Sequence, residues 1–397
     1  MPERYGNEVK MLEIIRIERK RILSIRAFLV FLAIVALFSI YSVYSILRSY
    51  EVPEAAGIAV TWNENLSHAK EAQQETQIDR EFLNLMRQHE GEFTYVDERN
   101  LVELVAVNYD GKSVRDLSDE DIGNFYLKRL SNIRAMLEES QVIRYTQEEI
   151  EQFMQSAGQV SEIEFAYAEG WKVLNDGMND FVPVLLILIS VLLLPLFGID
   201  PKSNMTELYR STKLGKVPLD HARILAAYII GFFLYLTGIA LHFVIKMVPF
   251  GLKGGNQCIQ SNVKTFFSLY NITNLQQFLL NVIVGLVTLL FVISFLLLVT
   301  VIMEKIMTSA VVFVFFWILL LLFEQMYLWP INHYFANFMP LRMTSFSHYY
   351  VGNEIYRVFG SSLSCMSWSV LVSVLLSGIL LAATIGWEKV KRKRGLY

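Results

Sequence analysis

The chain has 397 residues, of which 54% are hydrophobic and 18% are charged. Soluble domains have about 45–50% apolar and about 25% charged residues, so this composition excludes an ordinary soluble protein and indicates a membrane protein. With only two cysteines, Cys258 and Cys365, the chain has neither a disulfide-dense scaffold nor a cysteine-cluster metal site. We expect these two thiols to be free; the alternative is a disulfide between them.

Residues 1–26 are predicted to form a cytoplasmic amphipathic helix. Apolar and basic side chains fall on opposite faces of Val9–Ile25, as in helices that lie among anionic lipid headgroups. The apolar face holds Met11, Ile14, Ile15, Ile22 and Ile25, and the basic face holds Arg16, Arg19 and Lys20. The alternative is a basic anchor that only sets the topology.

Six apolar blocks are long enough to cross a bilayer, which takes about 20 helical residues. Inside the lipid, the backbone N–H and C=O groups of a segment must form hydrogen bonds with each other, so these blocks are predicted to be helices. Their bounds are Ala27–Leu47, Phe181–Ile199, Ile224–Ile245, Phe278–Met303, Ala310–Trp329 and Trp368–Trp387. The predicted fold is therefore an all-α membrane protein with six transmembrane helices, the last five within residues 181–387.

The segment between the first two spans, residues 48–180, is polar and acidic. It holds 12 Lys or Arg against 27 Asp or Glu. We predict a mainly helical domain, because Ser118-x-x-Asp121 and Thr146-x-x-Glu149 resemble capping boxes. Apolar residues alternate with others over Leu101–Val107, which allows a short strand. Ser161-x-x-Glu164 is a candidate start for a helix that continues into the second span.

Basic residues set the predicted orientation. They cluster in residues 1–26, 200–223 and 388–397, and six crossings place these three segments on one side. The positive-inside rule makes that side the cytoplasm, so residues 48–180 are predicted to lie outside a plasma membrane. Lys246, Lys253 and Lys264 are exceptions, because they fall in or beside an outer loop without an acidic residue between them.

The inner loop 200–223 is predicted to hold a short helix, a tight turn and the start of the third span. Ser203 or Asn204 is a suitable helix cap, Gly215 suits the end of the helix, and Pro218 suits the start of the next. Such a helix offers a surface to a soluble partner; the alternative is a structured loop without one.

The stretch Glu207-Leu-Tyr-Arg-Ser-Thr-Lys-Leu-Gly-Lys, followed by His221-Ala-Arg-Ile-Leu-Ala-Ala-Tyr, resembles the equivalent loop of ABC-2 type transporter permeases. The large outer insertion and Gly170-Trp171 before the second span are similar too, whereas Asp200-Pro201 departs from the family pattern. The resemblance implies an exporter subunit that works by alternating access, with two permeases, identical or different, and two ATPases. It also implies that the inner helix docks on the ATPase through Met205, Thr206, Glu207, Leu208, Tyr209 and Thr212.

The chain itself is not expected to be an enzyme or to bind a cofactor or nucleic acid. It lacks the G-x-x-x-x-G-K-[ST] phosphate loop, so ATP is expected to be used by the partner subunit. Glu324 is a candidate functional acid within a span, although it lies near the predicted outer boundary. His242 is expected to be a packed histidine. Two other functions stay open: a membrane-anchored sensor or immunity protein with the outer domain as receptor, and an ion-coupled carrier using Glu324.

Overall fold

The computed structural model describes residues 16–20, 22–51, 60–72, 76–88, 96–140, 143–160, 162–198, 216–325 and 329–393. This part of the chain is mostly helical, and six of its helices are long and apolar enough to cross a membrane. They are α1 (Ile25–Ser49), α8 (Glu169–Leu193), α10 (Lys216–Phe250), α11 (Asn274–Met303), α12 (Ile306–Gln325) and α16 (Cys365–Lys393).

The central helix of the bundle is α11, which packs against α8, α10, α12 and α16. Over its most apolar stretch 61% of the residues of α11 are buried, whereas the share is 22% in α1, α12 and α16. A capping box starts α11, because the Thr273 hydroxyl accepts from the Gln276 amide and the Gln276 side chain accepts from the Thr273 amide. The exposed apolar faces are those expected of helices surrounded by lipid.

The second candidate span differs from its predicted bounds at both ends. Helix α8 begins at Glu169, twelve residues before the predicted start at Phe181, and it contains Pro183. It ends at Leu193, and Pro195 opens a separate short helix, α9 (Pro195–Gly198). Leu194 keeps helical dihedral angles, with φ −49° and ψ −40°. Pro195 has no backbone N–H to donate to the carbonyl four residues earlier, which accounts for the break.

Residues 60–168, which we call the polar segment, fold around their own apolar core. Their helices are α2 (Trp62–Ala72), α3 (Arg80–Gln88), α4 (Val96–Asn108), α5 (Asp119–Gly123), α6 (Phe125–Glu138) and α7 (Gln147–Gly158), and their strands are β1 (Thr76–Gln77) and β2 (Glu164–Phe165), which pair antiparallel. Both predicted capping boxes are confirmed, at the starts of α5 and α7.

Two expectations for the polar segment are wrong. The alternating stretch Leu101–Val107 lies in helix α4, because Leu101, Leu104 and Val105 are buried at helical spacing. No helix continues from residue 164 into the second span, since Glu164 and Phe165 form β2 and α8 begins only at Glu169.

The polar segment packs on the loops that follow α10 and α12, so these regions share one end of the bundle. Phe266, from the loop after α10, is fully buried in the core of the polar segment. The loop after α12 contains α13 (Trp329–Tyr334), α14 (Pro340–Met343), α15 (Ser347–Val351) and a hairpin of β3 (Ile355–Val358) and β4 (Ser361–Ser364). The Tyr145 hydroxyl donates to the Asn353 carbonyl at 2.6 Å across this junction.

The opposite end of the bundle is held by ion pairs between chain segments. Arg223 Nε lies 3.2 Å from Glu18 Oε1, and both side chains are buried, so the segment before α1 is attached to α10. Lys391, near the end of α16, donates to the Val301 carbonyl in the last turn of α11 and pairs with Glu304, the residue that follows that helix.

Candidate functional site

The residues predicted to contact an ATPase are Met205, Thr206, Glu207, Leu208, Tyr209 and Thr212. They lie outside the residues that the structure describes. Their role therefore stays a prediction from the sequence.

Glu324, the candidate functional acid, lies in the last turn of α12. Its Oε1 is 3.9 Å from Arg342 Nη1, and both side chains are one-third exposed. The two residues line a cavity of about 40 Å³ together with Asn332. That volume has room for a water molecule, and the partial exposure of both side chains places this ion pair at the edge of the bundle.

A second polar cluster is buried inside the bundle, between α1, α8 and α10. We call it the His–Lys cluster; it consists of Ser39, Ser42, His242 and Lys246. Lys246 is fully buried, and its Nζ lies 2.7 Å from Ser42 Oγ. His242 is 1% exposed, and its Nδ1 lies 2.8 Å from Ser39 Oγ.

Helical spacing and one glycine build the His–Lys cluster. His242 and Lys246 are four residues apart, so they share a face of α10. The ring of Phe181 on α8 stacks on the His242 ring, with centroids 3.9 Å apart and planes 8° apart. Gly177, one turn earlier on α8, leaves room for both groups: a Cβ there would lie 3.3 Å from Lys246 Nζ and 3.6 Å from His242 Nε2.

The hydrogen bonds of Ser39 indicate the tautomer of His242. The Ser39 hydroxyl has one proton and donates it to the Val35 carbonyl at 2.8 Å. It must therefore accept from His242 Nδ1, so in the neutral ring Nε2 is the nitrogen with the lone pair. Nε2 is buried and has no hydrogen-bond partner among the described residues.

Two carboxylates lie between the buried lysine and the surface of the bundle. Asp176 and Asp180, one turn apart on α8, attract the Lys246 ammonium. Asp176 also pairs with Lys264 in the loop after α10, with Nζ 2.6 Å from Oδ2. The cluster thus offers N–H donors of an ammonium and an imidazole lone pair, which suits hydrogen bonding to a polar solute or a water molecule inside the bundle.

Sequence reasoning missed the pairing within this cluster. In the sequence, Lys246 is an exception to the positive-inside rule, and His242 by itself predicts only a packed histidine. The signal that could have revealed the cluster is the spacing of four residues between His242 and Lys246 within an apolar stretch. Ionisable residues inside a membrane face the interior of the bundle and pair with each other or with other polar groups, so this spacing predicts a shared buried site.

The polar segment is tied to the hairpin through the Glu149 carboxylate and through the Arg144 carbonyl, which accepts from Arg357 Nη2 at 2.7 Å. Arg357 donates to the carboxylate through Nε at 2.9 Å and Nη2 at 2.8 Å, and the Ser362 hydroxyl donates at 2.7 Å. The hydrogen bonds from Arg357 are the main cause that lowers the pKa of Glu149 to about 2. The charged carboxylate therefore holds β3 and β4 against α7 at neutral pH.

Arg129 ties the polar segment to the loop after α10. Its buried guanidinium donates through Nε to the Phe266 carbonyl at 2.9 Å and through Nη2 to the Ser268 carbonyl at 3.3 Å. Burial lowers its pKa to about 10, so it stays charged at neutral pH.

Both cysteines are free thiols, as expected. Cys258 is half-buried in the loop after α10, and burial raises its pKa. Cys365 is buried at the start of α16, where its Sγ lies 3.9 Å from His348 Nε2. Among the described residues, no group of three or more His, Cys, Asp or Glu is arranged to hold a metal ion.

Comparisons of the chain with protein-family models, with curated proteins and with solved structures find no match.

Proposed function

We propose that the chain is the membrane-spanning permease subunit of an ATP-driven transporter, working as an exporter with a separate ATPase. The observation that supports transport most is the His–Lys cluster. An ionisable pair buried among candidate spans is costly, and such groups mark solute or ion pathways in membrane proteins. A protein that only anchors a receptor domain has no need of Lys246 inside its bundle.

The two ends of the bundle suit different environments. The acidic polar segment covers one end, and Arg223 and Lys391, from two of the basic segments, lie at the other with the segment before α1. The positive-inside rule favours an extracytoplasmic polar segment, cytoplasmic termini and insertion in the plasma membrane. The inner loop is then available to a cytoplasmic ATPase, as its resemblance to ABC-2 type permeases implies.

Alternating access would then use the ATPase to move the spans against each other. The partner binds and hydrolyses ATP, because this sequence lacks the phosphate loop. A second permease subunit, identical or different, would complete the solute pathway. Solute would pass the His–Lys cluster near the outer end of α10, since His242 is eight residues before Phe250, or about 12 Å along the helix.

An ion-coupled carrier is the second candidate, and one observation favours it. His242 Nε2 is a lone-pair nitrogen without a hydrogen-bond partner among the described residues, next to an ammonium. Burial and the neighbouring ammonium both oppose a second positive charge, so His242 and Lys246 together would hold a single proton that the coupled ion movement exchanges. Under this alternative, dissipating the proton gradient stops transport while ATP remains, whereas ATP depletion alone does not.

The experiment is a pair of double variants in the inner loop. Leu208→Ser with Tyr209→Ser removes the two anchors predicted to be buried by the ATPase, each contributing about 2 kcal/mol. We expect this variant to insert in the membrane normally but to lose the ATPase on purification and to lose transport.

The matched control is Arg210→Ser with Lys213→Ser, which removes basic residues from the same loop. It should keep the ATPase if Leu208 and Tyr209 form the contact. Loss of the ATPase in the control alone would instead mean that the loop works through its basic residues, at lipid headgroups or at the partner, and would overturn the assigned contact.

A further inference from the structure

A groove opens where the polar segment, the hairpin and the start of α16 meet. Its volume is about 540 Å³, within the range of about 300–1,000 Å³ typical of sites for small molecules. One wall is strand β3, another is α13 with the turn that follows it, the floor is the first turns of α16, and residues 143–144 lie at the rim.

The floor of the groove is formed by residues of a candidate membrane span. Trp368 and Val372 lie four residues apart, on one face of α16, which is a candidate span. They follow the first residue of that helix, Cys365, by about 5 Å and about 10 Å along its axis. With Phe338 and Val358 they give this part of the groove an apolar lining, which suits a hydrocarbon chain.

The rim of the groove is positively charged. Arg144 is exposed, and no carboxylate among the described residues pairs with it. Arg357, by contrast, is engaged by Glu149 and holds the wall in place. No Asp or Glu contributes to the described lining; Glu354 lies outside it, 3.9 Å from His333 Nδ1. Burial outweighs the attraction of Glu354 and lowers the pKa of His333, which favours the neutral ring at pH 7.

The walls are held in a fixed arrangement by their own polar contacts. The rings of His333 and Tyr356 stack with centroids 4.3 Å apart and planes 6° apart. The Tyr356 hydroxyl donates to the His333 carbonyl at 2.6 Å and accepts from Asn337 Nδ2 at 2.9 Å. A groove preformed in this way binds with a smaller ordering cost than a mobile surface.

We propose that this groove binds an anionic amphiphile, with its headgroup at Arg144 and its hydrocarbon chain along Trp368 and Val372. Zwitterionic lipids fill the same apolar floor, but the positive group of their headgroup offsets the attraction between their phosphate and Arg144. The inference stands apart from the proposed transport function, because it concerns only binding and needs no ATPase.

The test uses the full chain in lipid nanodiscs and the fluorescence of Trp368. Brominated phosphatidylglycerol or brominated phosphatidylcholine is titrated into the disc lipid. The emission of the Trp368→Phe variant is subtracted from that of the parent protein to isolate the signal of Trp368. Half-quenching by the anionic lipid should need a mole fraction about fivefold lower than by the zwitterionic lipid, the size of one exposed charge interaction.

Arg144→Gln should abolish this headgroup preference. Arg80→Gln should keep it, because Arg80 is an equally exposed arginine of the polar segment that does not line the groove. Equal quenching by both lipids in the parent protein, or a preference that survives Arg144→Gln, would overturn the proposal.

Inorganic phosphate distinguishes a lipid headgroup from a free anion. The preference should be the same in phosphate and in sodium chloride of equal ionic strength. If phosphate alone abolishes it, Arg144 binds a free anion, and the assignment to an amphiphile is wrong.

Discussion

The attachment of the hairpin to α7 depends on one carboxylate, and Glu149→Gln tests it. Two hydrogen bonds from Arg357 and one from Ser362 reach Glu149, which is 10% exposed in its side chain. Hydrogen bonds to charged groups contribute about 1.5–3 kcal/mol each when buried. The Arg357 side chain is half exposed, so solvent screens the pair, and glutamine keeps one acceptor oxygen.

We therefore expect Glu149→Gln to weaken the attachment by about 2 kcal/mol, which is about a 30-fold change in an opening equilibrium. Hydrogen exchange of the amides in β3 and β4, measured by mass spectrometry at pH 7, should be faster by about that factor. Exchange in the bundle helix α11 should not change.

The effect of Glu149→Gln should also depend on pH in a defined direction. The pKa of Glu149 is lowered from 4.5 to about 2, chiefly by the Arg357 hydrogen bonds. A carboxyl group whose pKa is lower in the folded protein stabilises the fold fully at pH values above its ordinary pKa of 4.5. This stabilisation is lost as the pH falls through the folded-state pKa of about 2. The difference between parent and variant should therefore shrink across the range from 4.5 to 2.

The matched control is Glu151→Gln on the same helix. Glu151 pairs with Arg134 on the surface and is 63% exposed, so its removal should leave hairpin exchange unchanged. If Glu149→Gln leaves exchange unchanged, or if Glu151→Gln accelerates it equally, the contacts of Glu149 do not hold the hairpin.

Three further predictions concern the His–Lys cluster, the topology and a thiol. Gly177→Ala should be less stable than Gly123→Ala by about 1 kcal/mol in thermal unfolding, because its Cβ crowds Lys246 whereas a Cβ at residue 123 meets nothing within 4 Å. Ser118→Cys, with both native cysteines replaced, should react with a membrane-impermeant thiol reagent in intact cells; labelling only after lysis would reverse the topology. Cys258 should alkylate more slowly at pH 7 than a solvent-exposed model thiol, because burial raises its pKa; an equal rate would contradict that burial.

Features that depend on local sequence were predicted well. The capping boxes at Ser118 and Thr146 depend on residues three apart, and they form as the spacing indicates. Apolar blocks long enough to span a bilayer each appear as a long helix, because a continuous apolar run of that length has few other ways to satisfy its backbone in lipid.

Features that depend on distant partners were not predicted. Helix α8 extends back to Glu169 through polar residues, because Trp171 and Asn175 bond to Leu252 and Asn274, far along the chain. Lys246 is buried because Ser42 on another helix faces it. Pattern along one element cannot reveal such a partner.

The hairpin next to the groove was also missed. Its turn places Phe359 at φ 49° and Gly360 at φ 82°, which suits glycine but is uncommon for a bulky residue. Phenylalanine is not a residue typical of turns, so the sequence does not predict the hairpin. The groove that the hairpin lines forms only when β3 packs near α13 and α16.

The central claim is that this chain carries solute across a membrane with energy from a separate ATPase. The most direct measurement is purification of the unmodified chain from its own membranes in mild detergent, followed by identification and counting of the proteins that accompany it. The account predicts one ATPase subunit for each copy of the chain, with ATP hydrolysis in the purified complex. Recovery of the chain without any ATPase, from membranes in which it is active, would contradict the account.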